Sequence, residues 1–210
     1  RATEHPAYRI VKSEFVTLLP VLQALVALSD NEKPKVIAID GRAAAGKSTA
    51  ATLLSQVLDA GVIYMDDFFL PMELRTEERL VQSGGNIHYE RFQLEVLPYL
   101  KKNESFSYRR FDCGTMDYGE PRFIQSGMWR IVEGSYSCHP AFGDYMDCRV
   151  FCDISPDEQM NRIVKRDGVE YAQVFASQWI PMEEQYFQTE QIRSKSDIVI
   201  RHTKPESALL

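Results

Sequence analysis

The chain has 210 residues, of which 44% are hydrophobic and 26% charged, and its formal net charge is −6. This length suits one α/β domain with a substantial core. The acidic balance and the lack of a run of Lys and Arg argue against a nucleic-acid partner, and no apolar run approaches the roughly 18 residues of a membrane span. The four cysteines form no C-x-x-C pair, and residues 1–9 lack a signal-peptide core. We therefore expect a cytoplasmic protein with reduced thiols and no membrane partner.

The first predicted element covers residues 8–29, where apolar side chains recur every three or four positions, as in an amphipathic helix. Pro20 is expected to kink or split this helix, because it lacks a backbone N–H and its ring clashes with the preceding turn. We assign residues 1–33 to a helical segment packed on the core and residues 34–210 to the main domain. The helix would cover a sheet edge or a second copy of the chain in a homo-oligomer.

A glycine-rich loop stands between an apolar run, residues 36–40, and an Ala- and Leu-rich stretch, residues 49–58. The loop consists of Gly41, Arg42, Ala43, Ala44, Ala45, Gly46, Lys47, Ser48 and Thr49. It fits the pattern G-x-x-x-x-G-K-[ST], and the order strand, glycine loop, helix is the one that a phosphate-binding loop requires. Its N–H groups and the positive end of the helix would face a polyphosphate. Lys47 would neutralise the β- and γ-phosphates, and Ser48 would be a ligand of Mg²⁺.

Two carboxylates follow the second predicted strand, residues 62–65. Asp66 and Asp67 would thus lie at the carboxyl end of a strand, where ligands bind in α/β sheets. The alternative is a turn or helix cap, for which Asp is common. The polar residues 72–89 predict a mobile segment over this site.

A helix is predicted for residues 89–102, and residues 105–111 alternate as in one strand of a small β-hairpin. Tyr108 and the two arginines after it would either bind an anionic or aromatic substrate or form the exposed face of that strand. A later strand, residues 129–134, delivers Glu133, as in Walker-B-like strands that place a carboxylate near Mg²⁺.

Residues 149–154 form the next predicted strand, and Ser155 is a typical N-cap for the helix that follows. Arg162 and Arg166 share one face of this helix, because they are four residues apart. They are either a solvated basic surface or part of a lid that neutralises a transferred phosphoryl group. A further helix is expected within residues 171–193.

The last predicted strand, residues 197–200, completes an alternation of strands and helices. The alternation predicts an α/β fold of three layers, a mostly parallel five-stranded sheet with helices on both faces. A phosphate-binding loop leaves the reaction open, so a small-molecule kinase, a regulatory GTPase and an ATPase motor remain alternatives. A GTPase would carry N-K-x-D, which the sequence lacks, and a motor would usually bring further domains. A kinase needs two carboxylates and mobile arginines, which the sequence offers in order.

The order of these motifs resembles the uridine kinase/phosphoribulokinase family of P-loop kinases. The motifs are the phosphate-binding loop, Asp66-Asp67-Phe68-Phe69, Val132-Glu133-Gly134-Ser135-Tyr136, and Arg162 with Arg166-Asp167. The similarity covers residues 34–202. It implies a P-loop NTPase fold with a helical lid, which uses ATP and Mg²⁺ to phosphorylate a hydroxyl of a small molecule.

The resemblance also implies roles for individual residues. By position, Asp66 matches the catalytic base, and Glu133 matches the acid that helps Ser48 to organise the metal. Arg162 and Arg166 match the lid arginines, which act with Lys47 on the transferred group.

Substrate contacts are implied for Asp67, Phe69, Glu90 and Tyr108. The family motif reads D-S-F-Y, so Asp67 and Phe69 stand where relatives have Ser and Tyr. Tyr108 lies where the family has a nucleoside-contacting Tyr, and Glu90 lies near a ribose-binding acid. Since the hairpin lacks the family's His and Arg after the Tyr, uridine is only the default acceptor. Another nucleoside or a pantothenate-, sugar- or nicotinamide-riboside-like acceptor stays open.

Overall fold

The computed structural model describes residues 13–29 and 32–201 of the chain. The strands of this part are β1 (Lys35–Gly41), β2 (Gly61–Tyr64), β3 (Phe106–Tyr108), β4 (Phe111–Asp112), β5 (Asp117–Tyr118), β6 (Arg122–Ile124), β7 (Trp129–Glu133), β8 (Cys148–Asp153) and β9 (Ile198–Arg201). The helices are α1 (Ser13–Leu28), α2 (Lys47–Leu58), α3 (Glu77–Leu80), α4 (Tyr89–Glu95), α5 (Leu97–Leu100), α6 (Pro156–Asp167), α7 (Val169–Val174), α8 (Ile180–Thr189) and α9 (Ile192–Lys195). Among the described residues, no helix is both long and apolar enough to cross a membrane.

The main sheet has five strands in the order β2-β7-β1-β8-β9, and every neighbouring pair is parallel. The predicted α/β fold with a parallel five-stranded sheet is confirmed. Glu133 pairs laterally with Ile39 on β1 and Tyr64 on β2. The loops that follow β1, β2 and β7 therefore leave the sheet at the same edge, which is where an open parallel sheet binds ligands.

Two apolar cores cover the two faces of this sheet. Side chains of β1 alternate between them, since Ile37 and Ile39 join one core while Val36 and Ala38 join the other. The first core contains α1 and α2, and the second contains α4, α8 and the turn after β2. This arrangement gives the three layers that the alternation of strands and helices predicted.

Helix α1 runs unbroken through Pro20, whereas a kink or split was expected. Its buried face contains Leu18, Val21 and Leu25, and the helix packs beside β8 and β9. Residues 8–12 of the predicted helix lie outside the described residues.

Prolines shape the other departures from the predicted helices. The helix expected over residues 89–102 is divided into α4 and α5 at Val96, because Pro98 follows at the start of α5 and cannot continue the preceding turn. The helix expected over residues 171–193 contains a π-helical turn, Phe175–Trp179, just before Pro181. Such turns often occur at functional sites.

The predicted hairpin exists as two short antiparallel ladders, β3 with β6 and β4 with β5. It lies beside β2 and the turn that follows it. The four cysteines are free thiols, and Cys148 and Cys152 point into the same core, as their spacing on one strand predicted.

Candidate active site

The phosphate-binding loop is folded tightly against β8. Gly41 has a φ of +133°, and a Cβ there would lie 2.1 Å from the carbonyl oxygen of Cys152. Only glycine therefore fits this position. Gly46, with a φ of +95°, precedes α2, whose N-terminus no side chain caps. The N–H groups of this twelve-residue helix and its positive end are thus available to an anion, which fits a nucleotide phosphate.

Lys47 curls back over its own loop. Its Nζ donates to the carbonyl oxygens of Gly41 and Arg42 at 2.7 and 3.0 Å and to the Oγ of Ser135 at 3.2 Å. These partners are neutral, and no carboxylate of residues 13–29 or 32–201 forms a direct ion pair with the ammonium group. A phosphate there would supply the missing counter-charge.

A cavity of about 760 Å³ opens in front of the loop. Eleven of the predicted site residues line it: Ala43, Ala44, Gly46, Lys47, Ser48, Thr49, Asp66, Phe69, Glu133, Arg162 and Arg166. The structure thus brings together residues that are up to 123 positions apart in the chain. A volume of this size suits a nucleotide phosphate tail and a small second substrate.

Asp66 and Asp67 are separated by the turn on which they stand. They lie on a 3₁₀ turn, Met65–Phe68, and the carboxylate of Asp66 opens into the cavity. The surrounding walls raise the pKa of Asp66 by desolvation, and Lys47 and Arg166 partly offset that rise. A carboxylate with a raised pKa beside cations is a suitable proton acceptor.

Glu133 ends β7 opposite Asp66. Burial first, and then the charge of Asp66, raise the pKa of Glu133 to about 7, while a hydrogen bond from Ser48 lowers it. Within residues 13–29 and 32–201, no group of three His, Cys, Asp or Glu side chains could hold a metal ion by itself. The hydroxyl of Ser48 and the carboxylate of Glu133 suit Mg²⁺ in their chemistry, and phosphate oxygens would complete such a site.

The raised pKa of Glu133 predicts that Glu133→Gln stabilises the free protein in a pH-dependent way. Between about pH 4.5 and 7 the folded protein keeps a proton on Glu133 that the unfolded chain releases, so stability falls as the pH rises through this window. A Gln side chain at this position does not titrate, so it contributes no pH dependence to the stability. We expect urea unfolding to show little gain from the substitution near pH 4.5 and a gain of up to about 3 kcal/mol at pH 8. A gain that does not change with pH would contradict this account.

Asp67 does not face the cavity. Its side chain is 4% exposed, accepts a hydrogen bond from the hydroxyl of Tyr108 at 2.9 Å, and pairs with Arg122 and, at 3.7 Å, with Arg110. Asp67 thus links the turn after β2 to the hairpin. Its contacts are with residues of the protein itself, whereas the sequence predicted a contact with the substrate.

Tyr108 is also turned away from the cavity. Its ring stacks on Phe68 with centroids 5.2 Å apart, and its hydroxyl accepts the backbone N–H of Tyr64 at 3.2 Å. The side chain is 2% exposed and belongs to the core. The expected nucleoside contact is therefore absent from this arrangement of the described residues, because the hairpin packs its alternate side chains inward.

Glu90 lies outside the cavity as well. Arg79 binds its carboxylate at 2.7 and 3.0 Å, and His88 approaches it at 3.2 Å. Arg79 also donates to the carbonyl oxygens of Gly85 and Ile87. The segment over residues 72–89 was expected to be mobile. Hydrogen bonds from the Arg79 guanidinium instead link it to itself and to Glu90.

Three loop residues have no surface on the cavity. Gly41 and Ala45 are buried in the loop, and Arg42 points away to Asp153 and to Glu184, its Nε lying 2.6 Å from a Glu184 carboxylate oxygen. Arg42 therefore anchors the loop to β8 and α8 through its side chain. Only its backbone could face a phosphate.

The two predicted lid arginines extend from α6. Arg162 donates to the carbonyl oxygen of Ala44 at 3.3 Å and to Glu158 at 2.9 Å. Arg166 pairs with Asp167 at 2.8 Å and lies over the ring of Phe175 at 5.7 Å. Both arginines line the cavity, and the side chain of Arg166 is 56% exposed, so their role in a lid stays a prediction.

Glu183 is a cavity residue that the sequence did not reveal. One carboxylate oxygen accepts the N–H of Ala43 at 3.0 Å and the other accepts the hydroxyl of Ser135 at 2.6 Å. Burial raises the pKa of Glu183. Ser135 belongs to the motif after β7 and could have been singled out there, but Glu183 stands on α8 with no local pattern to mark it.

The architecture and the loop define a P-loop protein with the fold of small-molecule kinases. No protein-family model matches the chain. It is 28% identical over 151 residues to uridine kinase-like protein 3 of Arabidopsis thaliana, a match that covers 67% of this chain and 32% of that protein. The chain thus spans about a third of the length of the curated relative.

Solved structures share the fold. A possible uridine kinase from Bacillus stearothermophilus matches with a TM-score of 0.65 and 18% identity, covering 89% of this chain and 99% of that one. A candidate fructose transport system kinase from Silicibacter sp. TM1040 matches with a TM-score of 0.67 and 22% identity, covering 87% and 98%. The resemblance to the uridine kinase/phosphoribulokinase-like P-loop kinases, stated above from the motifs, is confirmed.

Proposed function

We propose that this protein transfers the γ-phosphoryl group of ATP to a hydroxyl group of a small molecule. The observation that carries this proposal is that Asp66, Lys47, Glu133 and Arg166 line one cavity. Relatives of the same fold described as kinases support it. An NTPase that only hydrolyses its nucleotide would not need a cavity that extends past the loop to a second carboxylate.

The residues of the cavity divide the chemistry among them. When bound, ATP supplies the phosphoryl group and Mg²⁺ neutralises part of its charge. Asp66 accepts the proton of the acceptor hydroxyl as the oxygen–phosphorus bond forms and the bond to the β,γ-bridging oxygen breaks, so that ADP leaves. Lys47 and the arginines of α6 offset the negative charge of the transferred group. Ser48 and Glu133 would hold the metal.

The acceptor is the less defined half of the proposal. The family resemblance makes a nucleoside such as uridine the default. However, the two residues expected to bind it have other partners: the hydroxyl of Tyr108 donates to Asp67, and the carboxylate of Glu90 pairs with Arg79. Acceptors of other classes therefore deserve equal weight in an assay.

ADP release from ATP and Mg²⁺, measured with a panel of nucleosides, sugars and hydroxy acids, tests the function. We expect release only when an accepted hydroxyl compound is present, and one equivalent of phosphorylated product per ADP. Full-rate ATP hydrolysis without any acceptor would support the alternative of a P-loop ATPase.

Arg166→Ala is expected to lower kcat about 10²-fold while changing the Kd of ATP much less. The reason is that Arg166 lines the same cavity as Asp66 and its charge acts on that carboxylate, so it would act where charge develops during transfer. Lys165→Ala, an exposed neighbour that does not line the cavity, is the matched control. Equal kcat values for the two variants would remove Arg166 from the chemistry.

A further inference from the structure

The lining of the cavity includes a polar pair that the phosphoryl-transfer chemistry does not use. The pair consists of Arg75 and Asn86. Both are fixed to the backbone of Leu70. The Nε of Arg75 donates to the carbonyl oxygen of Leu70 at 2.8 Å, and the N–H of Leu70 donates to the carbonyl oxygen of Asn86 at 3.0 Å. Leu70 thus contacts both Arg75 and Asn86 through its backbone.

Arg75 has no carboxylate partner within residues 13–29 and 32–201. Its neighbour in the lining of the cavity is Cys113: burial raises the pKa of this thiol, and the charge of Arg75 partly offsets that rise. The other arginines of this region differ, since Glu90 neutralises Arg79 and Asp67 neutralises Arg122. A half-buried guanidinium without a counter-charge is a binding group for an anion.

Asn86 offers a second, independent sign of a ligand. The residue is 4% exposed, and its Oδ1 has no hydrogen-bond partner. A buried acceptor without a donor is unfavourable unless a ligand supplies the donor.

We propose that the phosphate acceptor is an anionic hydroxyl compound, whose carboxylate or phosphate group binds Arg75 and whose second hydroxyl or N–H group donates to the Oδ1 of Asn86. This inference rests on the proposed kinase function and names the class of its substrate. The reactive hydroxyl then lies at Asp66, which lines the same cavity as Arg75 and Asn86. A neutral nucleoside would leave the charge of Arg75 unpaired.

The anion subsite can be tested without turnover, because Cys113 is an exposed thiol beside Arg75. Iodoacetate and iodoacetamide differ only in charge, and peptide mass spectrometry gives the alkylation rate of Cys113 with each. We expect the iodoacetate-to-iodoacetamide rate ratio at Cys113 to exceed that of glutathione by about threefold or more. Arg75→Gln should abolish this excess, and Arg149→Gln, whose guanidinium pairs with Asp144 elsewhere, should keep it. A ratio equal to that of glutathione, unchanged in Arg75→Gln, would overturn the subsite.

Turnover of matched acceptors tests the substrate class. D-glycerate with glycerol forms the carboxylate pair, ribose 5-phosphate with ribose forms the phosphate pair, and uridine represents the neutral nucleosides. We expect the anionic member of one pair to give the highest kcat/KM, and Arg75→Gln to lower that value about 10²-fold without affecting the neutral twin. Turnover that is highest with a neutral acceptor and insensitive to Arg75→Gln would overturn the proposal.

Asn86→Ala is expected to raise the KM of the accepted anionic compound about tenfold with a smaller change in kcat. An unchanged KM would remove Asn86 from the subsite. If no compound on the panel releases ADP, the result counts against the kinase function, whereas the alkylation ratio still decides whether Arg75 binds anions.

Discussion

Asp66→Asn is expected to lower kcat by about 10²- to 10⁴-fold, with little change in the affinity for ATP. The carboxylate of Asp66 opens into the cavity and lies within electrostatic reach of Lys47 and Arg166. Asn keeps the size and polarity of the side chain but cannot accept a proton. The measurement is ADP release under saturating ATP and acceptor, together with the Kd of ATP from equilibrium binding.

Asp67→Asn is the matched control for this variant. The same substitution one residue later weakens the pairing of a buried carboxylate with Arg122 and Arg110, whose side chains are partly exposed, so it should lower the free energy of unfolding by about 1 to 2 kcal/mol. Its kcat, measured on the folded fraction, should fall much less than that of Asp66→Asn. If Asp67→Asn abolishes turnover while Asp66→Asn is nearly normal, the proton acceptor has been assigned to the wrong aspartate.

Asp40→Ala is expected to lower the free energy of unfolding by about 4 kcal/mol. Asp40 is the penultimate residue of β1 and is fully buried. It accepts hydrogen bonds from the N–H groups of Gly41, Tyr136 and Cys138 and, at 2.8 Å, from the hydroxyl of Tyr186. Removal of this acceptor leaves four buried donors unpaired, between the phosphate-binding loop, the turn after β7 and α8.

Tyr186→Phe provides the comparison, because it removes only one of these four bonds. We expect it to cost about 1 kcal/mol in urea unfolding, well below the loss in Asp40→Ala. If the two variants lose the same stability, or if Asp40→Ala is within 1 kcal/mol of the unsubstituted protein, Asp40 does not hold these three segments together.

The parts of the fold that local chemistry specifies could be predicted from the sequence. The phosphate-binding loop needs Gly41 and Gly46 at positive φ, and the apolar strand before it and the Ala-rich helix after it identify it. Ser155 caps α6 by accepting the N–H of Glu158, as its position before a proline predicted. Five runs of strand length, separated by helices, were enough to specify a parallel sheet.

Several residue roles required the tertiary structure. Asp66 and Asp67 are adjacent and chemically alike, and only the 3₁₀ turn directs one to the cavity and the other to the arginines of the hairpin. Tyr108 and Glu90 stand at positions where the motif order implied substrate contacts, but packing partners more than ten residues away occupy them.

The sequence by itself was enough to predict the proposed donor half of the site, because one continuous segment forms the phosphate-binding loop and its helix. The proposed acceptor half depends on the tertiary structure. Arg75 and Asn86 are ordinary polar residues of an irregular segment until the backbone of Leu70 aligns them. The physical reason is that a charged group or a hydrogen-bond acceptor recognises a ligand only when the fold buries it and gives it no ion-pair or hydrogen-bond partner within the protein.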